Sequence, residues 1–126
     1  MKHIVESVDA MYGRREPWGE VILDGVVDVL RRTNVYRPQD VALLLEVGRL
    51  ELGVAVKMLT GMTLVEIIEG WRLRQAKELL TEAGFDFGKP GFLPQLPQKE
   101  LLKVARRCGL NNVRSLQHFL QRHQAI

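Results

Sequence analysis

Arg114, Ser115, Gln117, His118, Gln121 and Arg122 fall on one side of a helical wheel, and Leu116, Phe119 and Leu120 fall on the other. A helix face made of hydrogen-bond donors and acceptors has two uses. It can lie in water, the common fate of polar faces. It can also meet base edges in a major groove, where arginine and glutamine make paired hydrogen bonds. Asn111 or Asn112 stands where it would cap this helix, and a capped N-terminus favours a phosphate. His118 has no second histidine or cysteine at ligand spacing, so a metal is not expected.

A second helix, over about residues 49–59, has the opposite chemistry. Leu52, Ala55, Val56 and Leu59 follow the i, i+3, i+4, i+7 pattern of a buried face. The other side presents Leu50, Glu51, Gly53, Val54, Lys57 and Met58, of which Leu50, Val54 and Met58 form an apolar stripe. Arg49 and Lys57 could touch phosphate, and the stripe could touch thymine methyl groups. The stripe also costs solubility unless something covers it. The amphipathic segment 3–12, from the same chain or a second copy, is the expected cover.

The elements that must position these faces are helical. Ile4, Val5, Val8, Met11 and Tyr12 make a short apolar stripe ended by Gly13. Pro17 suits the first turn of the next helix, in which Trp18, Val21, Ile22, Val26, Val29 and Leu30 face one way. A short apolar helix follows Pro38, and Gly48 marks the turn into residues 49–59, which close at Thr60-Gly61. Thr63 and Glu66 form a capping box for a long helix. Along that helix Leu64, Ile67, Ile68 and Trp71 make one apolar stripe, and Leu73, Ala76 and Leu80 make a second on roughly the opposite side. Such a helix is packed first by one lobe and then by another. Residues 85–97, "FDFGKPGFLPQLP", are expected to be a surface or functional loop. A short helix then runs to Arg107, turns at Gly109 and leads into the last helix.

The expected architecture is therefore all-α, with two helix-turn-helix units joined by a linking helix. The expected segments are an N-terminal arm or short helix (1–16), a first unit (17–62), the linking helix (63–81), the Gly/Pro/Phe loop (82–97) and a second unit (98–126). Charge is uneven: residues 1–62 hold 8 Lys+Arg against 9 Asp+Glu, and residues 63–126 hold 10 against 6. An anionic partner is thus expected on the second half. Cys108 is the only cysteine, which rules out an intrachain disulfide and a cysteine-based zinc site. Residues 1–13 carry acids and no long apolar run, so they do not read as a signal peptide, and a cytoplasmic protein without membrane spans is expected. No nucleophile–base set, phosphate loop or carboxylate pair is suggested by spacing, so neither an enzyme nor a cofactor is expected.

Three segments resemble the DNA-binding domain of the AraC family of bacterial transcription regulators. They are "ALLLEVGRLELGVAVKMLTGMT" (42–63), "WRLRQAKELL" (71–80) and "ARRCGLNN" (105–112). The resemblance covers about residues 18–123. It implies a tandem helix-turn-helix regulator whose partners are double-stranded DNA and RNA polymerase. Both reading helices would enter successive major-groove segments. With the face chemistry above, the expected DNA contacts are Arg49, Lys57, Arg72, Asn112, Arg114, Ser115, Gln117, His118, Gln121 and Arg122, chiefly through 112–122. Arg72 and Arg74 either pair with acids or touch phosphate. The alternative is a protein-interaction or homodimerisation module that keeps the AraC-like fold with a degenerate first reading helix, its contact surface being Leu50, Val54 and Met58.

Overall fold

Helix signals in the sequence translate into seven helices and no strand among the described residues of the computed structural model, which are 8–14, 19–87 and 96–123. The helices are α1 (Val8–Gly13), α2 (Val21–Arg32), α3 (Pro38–Leu44), α4 (Arg49–Thr60), α5 (Leu64–Glu82), α6 (Gln98–Arg107) and α7 (Val113–Arg122). The fold class is all-α. No described helix is long and apolar enough to cross a membrane.

The chain divides into two compact units, Met1–Trp71 and Arg72–Ile126. Each has its own core. In the first, Val26, Val29 and Leu30 of α2 meet Val41 and Ala42 of α3, Leu52 and Val56 of α4, and Ile67, Ile68 and Trp71 of α5. In the second, Ala76 and Leu80 of α5 meet Leu101, Val104 and Ala105 of α6, with Leu116 and Leu120 of α7. The two apolar stripes of α5 thus serve different cores. Capping starts this helix as its sequence requires: Thr63 N–H donates to Glu66 Oε1 at 2.8 Å, and Glu66 N–H donates to Thr63 Oγ1 at 3.1 Å. The first of these bonds holds the Glu66 carboxyl below its ordinary pKa.

Three helices end in the same way. After α3, Val47 N–H bonds to Ala42 C=O and Glu46 N–H to Leu43 C=O. After α5 the same pair of bonds joins Phe85 to Leu80 and Gly84 to Thr81; after α6 it joins Leu110 to Ala105 and Gly109 to Arg106. This Schellman pattern needs a left-handed residue at its corner. Gly84 and Gly109 supply it with φ of 103° and 77°. In the first unit the corner is Glu46, at φ 58°, and not Gly48, which is extended. The glycine expected to make that turn lies two residues past the bend and serves instead as the N-cap residue of α4.

Two further expectations need correction. Val21 does not join the buried stripe of α2; it is 87% exposed, and Leu23 and Val27 are buried in its place. The helix starts at Val21, after a left-handed Gly19 and an extended Glu20, which resets the stripe. The proposed start at Pro17–Trp18 lies outside the described residues, as do Ile4, Val5 and residues 88–95 of the Gly/Pro/Phe loop. The described ends of that loop are pinned: Phe85 is buried and meets Phe87 edge-on at 4.6 Å, and Leu96 packs on the same core.

The second correction concerns α1. Its apolar residues do not cover the α4 stripe. Met11 is buried in the first core, and Val8 and Tyr12 pack against that core. Tyr12 lies 4.8 Å from the Trp71 ring. Gly70 permits the close approach, since a Cβ there would come within 3.0 Å of the Val8 methyl groups. The Arg31 guanidinium donates to the carbonyls of Met11, Tyr12 and Arg14, tying off the C-terminal end of α1.

Candidate nucleic-acid interface

The second unit carries most of the positive charge. Arg72–Ile126 contains 10 Lys+Arg against 4 Asp+Glu, net +6, and Met1–Trp71 contains 8 against 11, net −3. The structural boundary therefore separates the charges more sharply than halving the sequence does. Lys99, Lys103, Arg106 and Arg107 on α6 and Arg114 and Arg122 on α7 are all exposed. Lys103 is partly offset, because its Nζ lies 3.8 Å from Glu100.

α7 is built as an amphipathic helix with a firm start. Leu116, Phe119 and Leu120 are buried. Asn112 is the cap: it is extended, and its Oδ1 accepts from Ser115 N–H at 2.8 Å. That bond settles the choice between Asn111 and Asn112, and it spends the Asn112 side-chain oxygen on the helix. Ser115 and Gln117 are half-buried, and Arg114, His118, Gln121 and Arg122 are exposed. Arg114 has no hydrogen-bond or ionic partner among the described residues. Arg122 lies with its guanidinium 5.4 Å from the Phe119 ring centroid, which steadies it along the helix surface.

The first turns of α6 and α7 open on a shared groove of about 540 Å³, lined by Gln98, Lys99, Leu102, Asn112, Val113 and Arg114. α6 begins after Pro97 with no side-chain cap, so its first amide N–H groups keep their donor capacity. Free amides, helix dipoles and two cations on one groove suit a phosphate oxygen. Lys99 and Gln98 escaped the sequence reading. The signal was present, since Pro97 marks a helix start, but their proximity to Arg114 is tertiary.

Arg72 has a different post from the one expected. It is half-buried, its Nε donates to Cys108 C=O at 3.0 Å, and its guanidinium lies 5.3 Å from the Phe119 ring centroid. It holds the α6–α7 turn to α5, which removes it from the exposed set. Cys108 is fully buried at that turn, and burial raises its thiol pKa from 9.0 to about 11, with the Arg72 and Arg107 charges pulling the other way. A thiol so placed stays protonated and inert at neutral pH.

In the first unit Arg49 and Lys57 are exposed, and Lys57 Nζ donates to Gly61 C=O at 2.9 Å, capping its own helix. Leu50, Val54 and Met58 are 84%, 60% and 82% exposed. Arg49 and Lys57 thus lie beside an apolar surface, and the remaining expected contacts cluster on α7. Comparison of the chain with models of known protein families, with characterised proteins and with solved structures returned no match.

Proposed function

We propose that the chain is a sequence-specific DNA-binding transcriptional regulator of AraC type, and that α7 is its principal reading helix. In this reading α3–α4 and α6–α7 are helix-turn-helix units and α5 links them. The observation that carries the proposal is the exposed face of α7, where Arg114, His118, Gln121 and Arg122 stand opposite a fully buried apolar stripe on the +6 unit. Gln117 borders that face and adds a second amide for base edges. Lys99 and the α6 amides serve the phosphates, which fix register without reading sequence.

Electrostatics separate this reading from that of an idle solvated face. Contact with roughly three to five phosphates gives a slope of log K against log salt between about −2.7 and −4.5. Titration of a labelled generic duplex across salt concentrations measures it directly. A salt-insensitive signal, or no binding at low salt, defeats the proposal. Selection from random duplexes then tests sequence reading, and a recovered consensus is the expected result.

A further inference from the structure

The first unit holds an apolar surface that the proposed reading of DNA by α7 does not require. Leu50, Gly53, Val54 and Met58 of α4 and Leu64 and Val65 of α5 line a groove of about 520 Å³. Leu50, Val54, Met58 and Val65 are largely exposed there. Arg49 and Lys57 border it, and no acidic residue lines it. Four large apolar side chains left uncovered side by side by the described residues are a candidate interaction surface.

We propose that this groove docks an acidic amphipathic helix of a partner protein, independently of DNA binding by α7. Three observations choose the occupant. First, the groove's own charges are both positive, in a unit whose net charge is −3. At physiological salt screening confines attraction to about 8 Å, so Arg49 and Lys57, the latter partly offset by Glu66 outside the lining, act on an occupant more than the distant acids of the unit do. Acidic residues flanking an apolar stripe complement this arrangement, in the manner of helix-in-groove recognition.

Second, Gly53 sits in mid-helix on the groove, where it costs about 0.5–1 kcal/mol relative to alanine. Nothing lies within 4 Å of where its Cβ would be, so no packing within the described chain calls for a glycine. A missing side chain lets a foreign helix approach the α4 backbone closely. Third, a second copy of the chain fits less well. Antiparallel pairing of α4 with its own copy brings the Arg49 and Lys57 edge against the same edge, placing like charges together. The described N-terminal helix is no occupant either, because Val8, Met11 and Tyr12 are spent on the core.

The test uses the full chain and two labelled helical peptides of about four turns, with the same leucine stripe. One is flanked by glutamates and the other by lysines. Fluorescence anisotropy is expected to show the acidic peptide binding about tenfold or more tightly than its basic twin. Val54→Asp and Met58→Lys should each weaken the acidic peptide by about tenfold or more, with circular dichroism melts confirming that both variants fold. Arg49→Glu should narrow the gap between the peptides. Equal affinity for both peptides, or binding of neither, overturns the proposal. So does a solution mass showing a dimer that Val54→Asp dissociates, which would make the second copy the occupant. Loss of duplex binding in Val54→Asp with peptide binding intact would assign the groove to DNA and overturn it equally.

Discussion

α4 and α7 occupy equivalent places, each following a short helix and a Schellman turn, yet they are finished differently. α7 is capped by Asn112, buries Leu116, Phe119 and Leu120, and exposes arginine, histidine and glutamine. α4 begins at Gly48 with no side-chain cap, buries Leu52 and Val56, and exposes leucine, valine and methionine. Their backbones pose the same problem at the preceding turn and their sequences solve it unequally, with Gly109 in one and a left-handed Glu46 in the other. The lesson is that a shared local scaffold does not carry a shared surface. One helix presents polar donors, the basis of the proposed polyanion contact, and the other an apolar stripe rimmed by two cations, the basis of the proposed helix docking.

The contrast requires that α1 be committed to the first core and so leave the α4 stripe uncovered. Met11→Ala attacks that premise and carries the largest expected effect. Removing this buried side chain should cost about 2–5 kcal/mol in urea unfolding. A loss of only a few tenths would free α1 to cover α4 and would erase the contrast.

Cys108 tests whether the turn before α7 is as closed as its packing implies. With a folded-state pKa of about 11 against 9.0 unfolded, the native state keeps a proton that the unfolded chain gives up. Its contribution to stability is therefore full below pH 9.0 and is lost progressively as pH rises to about 11. Denaturation midpoints measured across that range should fall, and Cys108→Ala should flatten the decline. A thiol-specific reagent at neutral pH should label the protein only on unfolding; rapid labelling of the native protein would show the turn to be open.

The two turns themselves should respond in opposite directions. Asn112→Ala removes the α7 cap and should cost about 1 kcal/mol. Glu46→Gly relieves a left-handed non-glycine residue and should stabilise by about 0.5–1 kcal/mol, the αL penalty less the added chain entropy. Gly109→Ala, made for comparison, should destabilise for the same reason that Glu46→Gly stabilises. Equal and small responses from both corners would mean that the turns are looser than their hydrogen bonds imply.

What the sequence made legible was whatever depends on period and caps. The Thr63–Glu66 box, the buried faces of α4 and α7, and the two stripes of α5 follow from side-chain spacing alone. What it hid was tertiary. Val21 is the first residue of a helix that begins two positions after the left-handed Gly19, and it is exposed, so its apolar character misled. Met11 looked like part of a cover and is core, because Gly70 admits α1 beside α5. Arg72 had the type and spacing of a phosphate ligand, yet the Cys108 carbonyl claims it from 36 residues away. Of the candidate site, the exposure of Arg114, His118, Gln121 and Arg122 could be read from spacing, whereas Ser115 and Gln117, expected on the same face, are half-buried. The groove that α7 shares with Lys99 could not be read, since no periodicity relates α6 to α7.

The division of labour between the two helices is tested most directly by duplex affinity at low salt, with Arg114→Ala and Val54→Asp measured beside the parent chain. The expected result is a loss of about 1–3 kcal/mol for Arg114→Ala and no change for Val54→Asp. A loss confined to Val54→Asp, with Arg114→Ala binding like the parent, would contradict it.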